Sequence, residues 1–189
     1  QLSSTPNQYN AKDRHHYSRY YPRRLSAEVL LDSVNTVTLS ENKFEGLPPG
    51  IRAVCLPDNS FNASSYFLTV FGRPESSSAC ECERSMDASL SQSLHLLNSK
   101  DIQGKISAET GRAARWIQDK RDDSAKLRDL YLTAFAREPR PDELDIARNY
   151  MAKKAATAKD DAGRAKARRE AFEDMVWATL NTKEFLFNH

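Results

Sequence analysis

The sequence predicts a mostly α-helical, irregular domain with a long loop-rich segment over 36–84 and an extended N-terminal arm over 1–24. Three observations carry that expectation. Glycine is scarce, at 6 of 189 residues with 8 prolines, which is too few for a turn-dense sheet protein. In the C-terminal half apolar residues recur at helical spacing: Leu127, Leu130, Tyr131, Ala134 and Phe135 fit i, i+3, i+4, i+7 and i+8. Between Thr36 and Arg84 no period holds, and Gly46-Leu-Pro-Pro-Gly50 and Leu56-Pro-Asp-Asn59 are loop signals.

Taken in order, the arm is polar, is interrupted by Pro6 and Pro22, and has no apolar stripe. It interleaves Tyr9, Tyr17, Tyr20 and Tyr21 with Lys12, Arg14, Arg19, Arg23 and Arg24. Ser26 is a good N-cap for a first helix, with Glu28 in the first turn and Val29, Leu30 and Val34 as its apolar face. Ser65 to Phe71 predicts a brief helix. Met86, Leu90, Leu94 and Leu97 form one stripe of an amphipathic helix, and another helix spans Thr110 to about Lys120. Pro139 stops the Leu127–Phe135 helix, and Pro141 followed by Asp142 and Glu143 opens the next. Leu144, Ala147, Tyr150, Met151 and Ala155 define its buried side. Residues 153–170 carry few apolar side chains, so a solvated hairpin tip is expected around Asp160-Asp-Ala-Gly163. Phe172, Met175, Val176, Thr179 and Leu180 return the chain to the core.

Composition narrows the function classes. A net charge of +2 supplies no field that selects nucleic acid, and no run approaches the ~20 apolar residues of a membrane span. Cys55, Cys80 and Cys82 form neither a zinc-type C-x-x-C nor a haem-attaching C-x-x-C-H, so the chain is expected to carry no cofactor of its own. Their odd number fits one disulfide with a free thiol, or three thiols. Chain entropy favours a long loop from Cys55, at ~3.5 kcal/mol against about 1.6 for a Cys80–Cys82 ring, whereas proximity favours the ring.

Four constellations bear on chemistry. The tyrosine- and arginine-rich arm has the composition of a nucleic-acid binder, but without a wider basic footprint it reads as an arm packed on a neighbouring surface. Asp87, Ser91 and His95 share a helical face, yet a working triad places His between Ser and the carboxylate, and here Ser91 stands between them. His15, His16, Cys80 and Cys82 have no spacing that forces chelation, so no metal site is assigned. In the loop, Asp58, Glu81 and Glu83 with Arg73 and Arg84 have the residue types that glycoside chemistry uses. The simpler reading is that the two arginines pin the loop through charge-assisted hydrogen bonds to acids and carbonyls. Trp177, Phe185 and Phe187 read as core or interface; the last two exceed what one helix face needs, so with the arm tyrosines they predict an apolar patch for a partner.

Several phrases together carry a resemblance. Tyr21-Pro-Arg-Arg-Leu-Ser-Ala-Glu28, Leu56-Pro-Asp-Asn-Ser60, Phe71-Gly-Arg-Pro-Glu-Ser-Ser-Ser-Ala-Cys80-Glu-Cys82-Glu-Arg84, Leu94-His-Leu-Leu-Asn98 and Asn181-Thr-Lys-Glu-Phe-Leu-Phe-Asn-His189 are the phrases concerned. Over its whole length the chain resembles the planctomycete-expanded domain of unknown function at the C-terminal end of large exported proteins, whose other segments often include a cytochrome-c-type haem module. The resemblance implies a periplasmic or extracellular location and haem elsewhere in the parent. It also implies that 1–24 and 25–189 form the C-terminal part of one larger domain. It carries Cys80 and Cys82 as a pair, which favours their disulfide. The expected function is a non-catalytic structural or binding module packing against other segments or subunits. The alternative is part of an enzyme acting on extracellular polysaccharide through the loop carboxylates.

Overall fold

The computed structural model describes residues 5–13, 15–16, 18–57, 65–74, 92, 98–158 and 160–188. Among them the chain is mostly helical, and the sheet is one two-residue pair, β1 (Arg23–Arg24) with β2 (Phe187–Asn188). The stripe from Met86 to Leu97 lies outside the described residues except for Gln92, whose amide donates to the Val70 carbonyl at 3.1 Å.

Helix α1 (Ala27–Thr38) begins after Ser26 in extended conformation, with Glu28 in its first turn as expected. It is buried along Leu30, Leu31, Val34 and Val37 and contacts α2 (Tyr66–Val70), α4 (Arg112–Gln118), α5 (Asp123–Phe135) and α7 (Asp161–Leu180). Its last carbonyls are met by a cation: Arg112 donates to the Val37 carbonyl and, at 3.2 Å, to that of Thr36. A guanidinium at this end satisfies orphan acceptors and complements the helix dipole. Burial lowers the pKa of Arg112.

The irregular stretch after α1 is held by buried polar anchors. Asp32 accepts from the backbone N–H groups of Ala53 at 2.7 Å and Val54 at 3.2 Å, capping the 3₁₀ turn Ala53–Cys55. Lys105, on α3 (Lys100–Ile106), donates to Asn35 Oδ1 at 2.9 Å and Asn42 Oδ1 at 3.3 Å. Asp32 thus supplies partners that the loop backbone lacks, and Lys105 ties a loop side chain to α1.

The Phe71-Gly72-Arg73 phrase is a helix C-cap. Gly72 has φ +79°, its N–H reaches the Thr69 carbonyl at 3.0 Å, and the Arg73 N–H reaches that of Leu68 at 2.9 Å. This is a Schellman closure of α2, and the left-handed position asks for glycine. Phe71 stacks on Phe67 at 4.2 Å, and its carbonyl accepts from Arg24 at 3.0 Å.

Of the remaining helices, α6 (Pro141–Ala156) carries the start signal read from the sequence, while Asp122, Asp160 and Thr182 are caps seen in the structure. Asp122 accepts from the Ala125 N–H at 3.0 Å, and α6 opens on Pro141, with Glu143 accepting from the Arg140 N–H at 2.7 Å. Asp160, expected in the hairpin tip, accepts from the Gly163 N–H at 2.6 Å and caps α7, so Asp161 to Gly163 are helical. Helix α7 is the spine of the C-terminal half: Ala171, Phe172, Val176 and Leu180 are buried, and Phe172 meets Trp116 edge-on at 5.1 Å. Thr182 caps α8 (Lys183–Leu186), which delivers β2 to β1.

Several expectations are corrected. Phe185 is 4% exposed and belongs to the core, because α8 folds back beneath α5 and α7. It therefore offers no surface to a partner, while Phe187 is half-buried in β2. The arm's end packs on this chain rather than on a partner: Arg24 is buried over the Phe71 ring, and Tyr20 and Tyr21 are half-buried, whereas Tyr9 is 88% exposed. Tyr150 sits on the side of α6 expected to be buried, yet it opens to solvent because its hydroxyl reaches across to Asp174 on α7. Lys126 is 0% exposed, a lysine that periodicity places on no apolar face. Its Nζ has no hydrogen bond; Asp123 Oδ1 lies 3.5 Å away and the Phe172 centroid 5.4 Å.

Candidate functional site

The loop residues with glycosidase-like chemistry are not assembled among the described residues. Asp58, Glu81, Glu83 and Arg84 lie outside them, as do Cys80, Cys82 and Tyr17. Arg73 is described, and its Nε lies 3.2 Å from Glu28 Oε1 with both side chains buried. Cys55 is an exposed free thiol. His15 and His16 belong to a turn organised by Asp13, whose Oδ1 accepts their backbone N–H groups at 3.0 and 2.9 Å. The Ser18 hydroxyl and those N–H groups hold the Asp13 carboxyl well below the usual carboxylate range. Among the described residues no group of three or more His, Cys, Asp or Glu could hold a metal ion.

The site that the fold does build lies elsewhere, where α5, α6 and α7 diverge. A groove of about 480 Å³ opens there over a floor of Leu127, Leu130, Ala147 and Met175. Tyr131, Phe135, Tyr150 and Trp177 form its aromatic walls, and Ile146, 69% exposed, stands at its lip. The charged side chains that line it are Glu143, Asp174 and Glu184, all carboxylates.

One end is tied by Arg137, which follows Ala136 in left-handed conformation at φ 54°. Its guanidinium donates to both oxygens of Glu143, at 2.8 and 2.9 Å, and to both of Glu184, at 2.6 and 2.8 Å. It also lies 5.3 and 5.5 Å from the Tyr131 and Phe135 centroids. This fork joins the α5–α6 connection to α8, and planar bidentate pairing is what guanidinium does better than ammonium. At the other end Asp174 Oδ2 takes the Tyr150 hydroxyl at 2.6 Å and the Lys154 ammonium, and that bond pushes the Tyr150 phenol up. Burial, with Glu143 next in weight, raises the Tyr131 phenol.

The Arg137 hydrogen bonds hold the Glu143 carboxyl down to about 2. A carboxyl depressed on folding contributes stability above its unfolded value near ~4.3 and loses it as pH falls through the folded value. The Arg137 tie is therefore expected to persist at pH 4 and to fail toward pH 2. A ¹³C titration of the Glu143 carboxyl checks this; a midpoint at the ordinary glutamate value would show that the fork does not form in solution.

Spacing places Tyr131, Tyr150 and Met175 on helix faces and leaves Trp177 as core or interface, without showing that three helices bring them together. The usable signal was Arg137-Glu138-Pro139-Arg140-Pro141: a rigid connection rich in guanidinium, next to a helix starting with two acids. Nothing comparable marked Lys126 or Asp174.

Fold and site together define a mainly helical domain with an open apolar groove rimmed by carboxylates. The chain belongs to the DUF1553 family (PSD1), described as a protein of unknown function, whose model matches residues 1–151. The match ends within α6, so α7 and α8, which complete both core and groove, lie beyond it. No curated protein and no solved structure matches the chain. Among the described residues no helix is long and apolar enough to cross a membrane.

Proposed function

We propose that the chain is a non-catalytic binding module of a larger exported protein, and that its groove receives an apolar polypeptide from another segment or subunit of that protein. The observation that carries this reading is the groove itself, with an aliphatic and aromatic interior open to solvent and Ile146 exposed at its lip. Exposed apolar surface concentrated in a concave site marks an interaction surface. A polysaccharide is the less favoured occupant, because the floor is Leu127, Leu130 and Met175 rather than groups that pair with hydroxyls. Arg73 supports the non-catalytic reading, since its guanidinium is buried against Glu28 in the scaffold. On this reading any haem chemistry of the parent resides in its other segments.

The test is a photo-crosslinking residue at position 146 in the full-length protein. The expected product joins position 146 to an apolar stretch outside residues 1–189 or to a second subunit, and Ile146→Glu weakens that association. Crosslinks confined to residues 1–189 would overturn the proposal, because the groove would then be closed by the chain itself.

A further inference from the structure

We infer that the groove selects a segment bearing a positively charged side chain, a lysine or arginine whose apolar stem lies along the aromatic walls and whose charge reaches Asp174. This rests on the docking reading above and names the partner's chemistry. Aromatic faces and carboxylates both favour an organic cation over a neutral or anionic group, the rings through their quadrupole and the carboxylates by charge. Every charged side chain lining the groove is a carboxylate.

The chain's own cations display the same preference at the two ends. Arg137 lies over Tyr131 and Phe135, and Lys154 lies 5.9 Å from the Tyr150 centroid. Glu143 and Glu184 are engaged by the Arg137 fork, and Glu143 also accepts from Arg140 at 3.1 Å. Asp174 differs. Its hydrogen bonds from Tyr150 and Lys154 both fall on Oδ2, so Oδ1 retains its acceptor capacity, and its side chain is 41% exposed. A carboxylate oxygen with open lone pairs beside an apolar floor is the place for one more charge-assisted hydrogen bond. Arginine and lysine suit the site because their stems bury against apolar surface while the head stays polar.

The probes are n-hexylguanidinium, n-hexanol and n-hexanoate, equal in apolar length and different in charge, titrated into the 189-residue chain with amide and indole NMR shifts as readout. Hexylguanidinium is expected to shift the Trp177 indole and the Asp174 amide with a Kd about tenfold below that of hexanol, with hexanoate weakest. Asp174→Asn is expected to bring the Kd of hexylguanidinium to that of hexanol measured on the same variant, and Asp174→Glu to keep part of the preference. Equal affinity for hexylguanidinium and hexanol, or a preference that survives Asp174→Asn, overturns the charge selection while the apolar docking reading stands. Silence from all three probes overturns both. Cellobiose seated in the groove more tightly than hexylguanidinium would replace the inference with a saccharide site.

Discussion

Phe172→Ala is expected to destabilise the protein by about 3–5 kcal/mol, the range for removing a fully buried aromatic ring. Phe172 is 0% exposed and lies at the middle of α7, which contacts α1, α3, α4, α5, α6 and α8. Its ring meets Trp116 edge-on at 5.1 Å, a geometry that adds to area burial. The centroid also lies 5.4 Å from Lys126 Nζ and 5.7 Å from the Arg168 guanidinium carbon. Removing the ring opens a cavity and withdraws the aromatic face from a buried ammonium that has no hydrogen bond of its own. Since the whole stability of a domain is roughly 5–15 kcal/mol, the variant should sit near the edge of folding. For a chain of this length each kcal/mol moves Tm by about 2–4 °C, so the expected fall is about 6–20 °C. Phe172→Leu, which retains most of the apolar volume, should fall less. A Tm for Phe172→Ala within about 2 °C of the parent would refute the placement of α7 at the centre of the core.

The helical half was legible because its physics is local and repetitive. Stripes from Leu127 to Phe135 and from Phe172 to Leu180 specify buried faces by spacing alone, and Pro141 followed by Asp142 and Glu143 marks a helix start through groups that act within a few residues. The groove was not legible, because it arises where three such faces diverge, and divergence is set by tertiary packing. Arg24, Arg112 and Lys126 were hidden for a related reason. Sequence patterns assign long cations to solvent, whereas here Arg24 and Arg112 go inside to meet carbonyls of Phe71 and Val37, 47 and 75 residues away. Phe185 was misread as surplus because the count of apolar faces treated α7 as the end of the core, and α8 adds another turn beneath it. The Phe71-Gly72-Arg73 phrase was recognised as distinctive before it had a physical meaning. The structure supplies one: a cap that needs glycine, flanked by a ring and a cation that each hold another element.

That cation leads to a second large effect. Arg73→Leu or Glu28→Leu alone is expected to cost about 3–5 kcal/mol, the range for breaking a buried ion pair from one side. The guanidinium and carboxylate are 3.2 Å apart, with side chains only 6% and 10% exposed, so water cannot readily replace the lost partner. The geometry around the pair is preset from both sides. Glu28 lies in the first turn of α1, whose N-cap Ser26 makes no side-chain cap bond, and Arg73 is aimed by the Schellman closure through Gly72. Both residues sit at helix ends, so a charge that loses this pairing stays in a buried setting. Replacing both together removes the desolvation penalty along with the attraction, and a buried leucine pair recovers apolar contact. The double variant should therefore be much more stable than the sum of the single losses implies, with a coupling of about 2–3 kcal/mol in a double-mutant cycle. Urea unfolding with unchanged m-values measures it. Strictly additive losses would show that Arg73 and Glu28 do not meet in solution, and that the Phe71-Gly72-Arg73 cap is not fastened to α1 through its charge. A large positive coupling would instead establish Arg73 as part of the scaffold, and any catalysis proposed for the loop would then have to proceed without its guanidinium.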